Sequence, residues 1–109
     1  VNSTCKVVRS YMYADDLILW LAKIVSCSKI DCPVYNVGSN EKIELRELAS
    51  KIGKIFGKPT KFNKIRNKRI DSYVPNIDKT KKKLNLKIIY NLNDAIKLTI
   101  NKRLNEKIN

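Results

Sequence analysis

Arg9-Ser10-Tyr11-Met12-Tyr13-Ala14-Asp15-Asp16-Leu17 is the stretch on which the reading of this chain turns. It places one arginine, two aromatics and two carboxylates directly ahead of the most apolar run in the sequence, Leu17 to Val25. Tyr11 and Tyr13 alternate with Ser10, Met12 and Ala14, as on a short extended segment whose two faces differ. Asp15 or Asp16 can cap the helix that follows, because a short carboxylate accepts from the first unpaired backbone N–H groups; Asp16 is read as that cap. Arg9 then sits at the start of that strand, a few residues from a helix N-terminus, where donors can converge on an anion. The plainer reading of the same residues is a surface arginine before a buried helix.

Outward from there, Cys5-Lys6-Val7-Val8 reads as strand. The first helix, about Asp16 to Cys27, is apolar on nearly every face, with Lys23 the main exception. Such a helix needs neighbours on several sides, more than a chain of this size supplies, so a covering domain is expected beyond it. Trp20 is read as core. Ser28 to Cys32 is a polar loop, Pro33 to Val37 a short buried strand ending at Gly38, and Ser39-Asn40-Glu41 a turn. A second helix is expected from Leu45 to Phe56, with Leu45, Leu48, Ala49, Ile52, Ile55 and Phe56 on one face. Gly57 can close it and Pro59 forbids its continuation.

Lys61 to Ile65 alternates like an edge strand, its lysines discouraging further pairing. Arg66 to Pro75 reads as irregular and basic. Asp78 to Leu84 makes one or two helical turns, with Asn85 suited to the left-handed position after them and Leu86 folding back. The last helix is expected from Leu92 to Leu104, capped by Asn91 with Asp94 three residues on. Leu92, Ala95, Ile96 and Ile100 form its buried stripe. There is no internal repeat.

Four segments in this order carry a resemblance: Arg9 to Leu17, then Tyr35-Asn36-Val37-Gly38-Ser39, then Ile43 to Ala49, then Ser72 to Leu84. Together they resemble the C-terminal portion of the extended short-chain dehydrogenases, the NAD-dependent nucleotide-sugar epimerases and dehydratases. Tyr73-Val74-Pro75 looks most like the dTDP-glucose 4,6-dehydratase and UDP-glucuronate decarboxylase branch. Two departures stand out: Glu44 where the family has serine or threonine, and Asn85 where it has glycine. The resemblance implies an α/β fold, with residues 1–109 a single C-terminal substrate-binding subdomain of three to four helices and short strands, a fragment from which the Rossmann domain is absent. It implies NAD for the parent enzyme, bound outside this chain, and a full-length enzyme that commonly dimerises. By the same resemblance Arg9 reaches the pyrophosphate of a nucleotide-diphosphate sugar, Arg66 is a second such arginine, and Tyr73 sets its hydroxyl against the sugar or its phosphate. Arginine suits that anion because its planar fork donates in parallel and stays charged.

Each of these residues has a plainer reading. Arg66 has a rival in Arg69, Tyr73 can simply be packed, and Asn36 reads better as a structural hydrogen-bonder than as a ligand contact.

The absences narrow the chemistry. Gly38, Gly53 and Gly57 are too scattered for a dinucleotide-binding fingerprint, and no tyrosine is followed four residues later by lysine, the family's proton-transfer pair. There is no histidine, no nucleophile elbow and no metal-ligand cluster, so no catalytic, cofactor-binding or metal-binding residue is assigned. The chain alone is not expected to transfer a hydride.

Net charge is +13, with the excess confined to residues 51–109; the first fifty residues are neutral. The surplus is lysine without interleaved aromatics, as at Lys81-Lys82-Lys83, so nucleic-acid binding is not expected. Cys5, Cys27 and Cys32 are an odd set, read as reduced thiols. No signal peptide is recognised, and the run from Leu17 to Val25 is far short of the roughly 20 apolar residues that span a bilayer. A soluble, cytoplasmic protein without membrane contact is expected. Two other readings stay open: a small basic nucleic-acid-binding module, and a non-catalytic adaptor that completes a partner's core through the first helix.

Overall fold

The computed structural model describes residue 1 and residues 3–108. Its elements run β1 (Lys6–Arg9), α1 (Ala14–Ser26), β2 (Ile43–Glu44), α2 (Leu45–Ile55), β3 (Ile70–Ser72), α3 (Asp78–Leu84) and α4 (Leu92–Ile108). They fall into two compact units, each assembled from two separated stretches: Val1–Ser10 with Lys42–Val74, and Tyr11–Glu41 with Pro75–Asn109.

The first unit is a three-stranded sheet in the order β2-β1-β3, with α2 packed on β1 and β2. β1 runs antiparallel to β2, with Val8 opposite Glu44 and Arg9 opposite Ile43. It runs parallel to β3, with Lys6, Val7 and Val8 opposite Ile70, Asp71 and Ser72. The β3 residues lie in the run read as irregular from sequence. The expected edge strand at Lys61 to Ile65 does not form; that segment is tied to the N-terminal residues by Asn63 N–H to the Val1 carbonyl (3.1 Å) and Arg66 N–H to the Thr4 carbonyl (2.9 Å). The bend at Thr4 and Cys5 interrupts a regular ladder there.

α2 begins and ends within one residue of its expected limits. Gly57 sits in the left-handed region (φ +60°), letting Lys58 N–H reach the Gly53 carbonyl (2.8 Å) and Gly57 N–H the Lys54 carbonyl (3.2 Å). The chain then doubles back so closely over Gly53 that a Cβ there would lie 2.8 Å from the Lys58 carbonyl oxygen. The helix stripe is only partly covered: Ile52, Ile55 and Phe56 remain exposed. Arg46 Nη2 donates to the Ser3 (3.2 Å) and Asn63 carbonyls, and its guanidinium lies over the Phe62 ring.

The second unit holds α1, α3 and α4 around Trp20, Tyr13, Ile77, Leu84, Leu92 and Ala95. Trp20 is buried and donates its indole N–H to the Lys87 carbonyl (3.2 Å). Tyr13 is buried edge-on against Tyr90, whereas Tyr11, expected on the same face, is exposed, so residues 10–14 do not show the two-faced extended pattern expected of them. α1 starts at Ala14, two residues early, and its N-cap is Tyr13 without a side-chain hydrogen bond. Asp16 is therefore not a cap. It lies wholly buried in the first turn, and its carboxylate accepts from Ile89 N–H (3.2 Å) and Tyr90 N–H (3.0 Å).

Residues 33–37 form no strand. Their carbonyls are taken by side chains instead: Thr80 Oγ1 donates to Asn36 O (2.8 Å) and Lys79 Nζ to Val34 O (3.0 Å). Asn36 does act structurally, donating to the Asn76 carbonyl (3.0 Å). α3 closes with Asn85 in the left-handed region (φ 51°), and Leu86 N–H returns to the Lys81 carbonyl (3.1 Å). α4 is capped by Asn91, whose Oδ1 accepts from Asp94 N–H (2.9 Å), and runs beyond Leu104 to Ile108. Among the described residues no helix is long and apolar enough to cross a membrane.

Candidate functional site

β1 is the middle strand of the sheet, so Arg9, its last residue, is held by pairing on both sides. Cross-strand partners project to one face and alternate residues share it. Val7 and Arg9 of β1 therefore share a face with Asp71 of β3 and with Tyr73 just beyond it. Tyr73 N–H continues the ladder by donating to the Val8 carbonyl (3.0 Å).

The guanidinium of Arg9 is partly exposed and its fork is directed. Nη1 donates to the carbonyls of Val8 (2.9 Å) and Asp71 (3.0 Å), and Nη2 donates to Asp71 Oδ2 (2.9 Å). The hydrogen bond from Arg9 holds the Asp71 carboxyl below its ordinary value of 3.8; desolvation opposes it, and the nearby charges of Arg9 and Arg69 lower it further. Asp71 is the residue that reading the sequence missed. Its signal was present in the alternation Ile70-Asp71-Ser72-Tyr73, but no strand was expected there.

The three residues singled out from sequence all lie in the first unit. The register brings Arg9 and Tyr73 side by side, with the Tyr73 side chain 70% exposed. Arg66 is also exposed, and its backbone is fixed at Thr4, before the start of β1. Arg9 and Thr4 are five residues apart, up to about 17 Å of extended chain, so Arg66 enters at the far end of the central strand. Arg69, its rival, stands one residue before β3, and its charge reaches Asp71.

The second unit contains a separate hollow of about 240 Å³ lined by Cys27, Lys29, Asp31, Tyr35 and Lys83 among others. None of the three residues lines it.

The residues present do not fit a dinucleotide cofactor. None of the three strand-to-helix junctions, residues 10–13, Glu44-Leu45 and residues 73–77, contains the glycines that let a backbone approach a pyrophosphate. Among the described residues no cluster of three or more histidine, cysteine, aspartate or glutamate side chains could hold a metal ion.

The fold is the small α/β arrangement of the C-terminal portion of extended short-chain dehydrogenases. It is similar to a UDP-glucuronic acid 4-epimerase from Bacillus cereus, solved in complex with NAD. That likeness has a TM-score of 0.68 and 23% sequence identity, over 88% of this chain and 30% of that one. It is also similar to the PbgP3 protein from Burkholderia pseudomallei, with a TM-score of 0.64 and 25% identity, over 89% of this chain and 31% of that one. The chain thus spans about 30% of the length of these solved relatives. No family model matches the sequence, and no curated protein matches it either.

Proposed function

We propose that this chain is the nucleotide-sugar-binding part of an NAD-dependent sugar epimerase or dehydratase, inactive in hydride transfer by itself. One observation carries the reading: nearly nine-tenths of the chain shares its fold with part of a UDP-glucuronic acid 4-epimerase. In this reading Arg9 holds the ligand's pyrophosphate and Tyr73 meets the sugar or its phosphate, while Arg66, the second arginine proposed for that anion, would have to reach it from the far end of β1. The directed fork of Arg9 on the sheet face it shares with Tyr73 supports the Arg9 and Tyr73 assignments. NAD and the proton-transfer pair belong to polypeptide outside this chain, since no tyrosine here has a lysine four residues on. Tyr73-Val74-Pro75 favours the dTDP-glucose 4,6-dehydratase and UDP-glucuronate decarboxylase branch, and the full enzyme would be a cytoplasmic homodimer. The test is titration of the chain with UDP- and dTDP-sugars beside an Arg9→Ala variant. Saturable binding that the variant loses by tenfold or more is expected; equal affinity in both proteins would refute the assignment.

A second reading has its own support. Leu17, Ile18, Leu19, Leu21 and Val25 of α1 are all exposed, an apolar face on a short helix. An adaptor that completes a partner's core would present such a face. Replacing Ile18 and Val25 together by serine should then sharply reduce binding of a hydrophobic dye without unfolding the chain. It should also abolish association with a Rossmann-bearing partner, and undiminished association would count against this reading.

A further inference from the structure

Arg9 already has an anion. Its Nη2 donates to Asp71 Oδ2 at 2.9 Å, with both side chains partly exposed. Its Nη1 is held independently, by the main-chain carbonyls of Val8 and Asp71 at 2.9 and 3.0 Å. The two sets of bonds do different work. Main-chain oxygens fix where the guanidinium stands, and they remain whatever residue occupies position 71. The carboxylate neutralises the guanidinium and occupies the donor that an incoming anion would use.

We propose that Asp71 is the built-in counter-ion of this site: it occupies Arg9 when no ligand is present and must yield when a diphosphate arrives, so it sets the site's affinity. The inference rests on the reading of Arg9 as the pyrophosphate arginine. An Asp71 side chain that is half exposed can rotate into water without unfolding the strand. A diphosphate docked on Arg9 would otherwise stand within a few ångströms of a like charge, a repulsion weakly screened at that range. Removing the charge should therefore tighten binding. A carboxylate that merely positioned Arg9 would give the opposite sign, because its loss would free the fork.

The experiment measures binding of inorganic pyrophosphate and of UDP-glucose to the whole chain by calorimetry. It compares wild type, Asp71→Asn, Arg9→Ala and the double variant, with folding checked by circular dichroism. Asp78→Asn serves as a control for the general loss of one negative charge. Asp71→Asn should bind on the order of tenfold more tightly than wild type; Asp78→Asn should barely differ, and the double variant should lose the gain. Asp71→Ser carries the same expectation should the asparagine variant misfold. If Arg9→Ala loses binding but Asp71→Asn is unchanged or weaker, the counter-ion is refuted and the pyrophosphate reading stands. If Arg9→Ala binds as well as wild type, or neither wild type nor Asp71→Asn binds, both fall.

Discussion

Two aspartates in this chain have opposite circumstances, and each leads to a measurement. Asp71 is on the surface, and its carboxyl is held below 3.8 chiefly by the hydrogen bond from Arg9. A carboxylate with a depressed folded value contributes stability that is complete above the ordinary carboxylate range and lost as pH falls through the depressed value. An NMR titration should place the Asp71 midpoint below 3.8 in wild type, and in Arg9→Ala it should rise toward the ordinary value. A midpoint unmoved by that substitution would mean that the pair does not persist in solution. Asp16 is wholly buried and gives both oxygens to the backbone N–H groups of Ile89 and Tyr90. Asp16→Ala orphans both donors and should cost about 2–4 kcal/mol in chemical denaturation. Asp16→Asn, which keeps one acceptor, should cost less. A cap role alone predicts about 1 kcal/mol for the alanine variant, within a range of about 0.5–2 kcal/mol.

Elements marked by local chemistry were legible in the sequence. Asn91 and Asp94 gave the start of α4, the stripe and Gly57 gave α2, and Asn85 gave the end of α3. Each of these signals works within about six residues, through a cap or a turn that the backbone forms regardless of what lies further away. Strands were less legible because a strand is defined by its neighbour. Residues 33–37 look like one, yet Thr80 and Lys79 take their carbonyls. Residues 70–72 look basic and irregular, yet β1 pairs with them. Asp16 was misread for the same reason: its partners lie more than seventy residues along the chain. The site was legible in part. Arg9 and Tyr73 were found, while Asp71 depended on a strand that only its parallel neighbour reveals.

At the scale of the molecule, exposed apolar surface and exposed charge carry different meanings. α1 and the stripe of α2 both leave large apolar side chains in solvent, and the chain spans about 30% of its solved relatives. Protein that covers these faces would raise stability by burying them. The lysine surplus after residue 50 sits mostly at exposed positions, the solvated faces expected from sequence. The order in which the chain visits its two units has its own consequence. It crosses between them at residues 10–11, 41–42 and 74–75, so neither can be cut out, grafted or duplicated as one contiguous segment. Any recombination that moved one intact would have to carry two distant stretches together, which makes the pair a single heritable block.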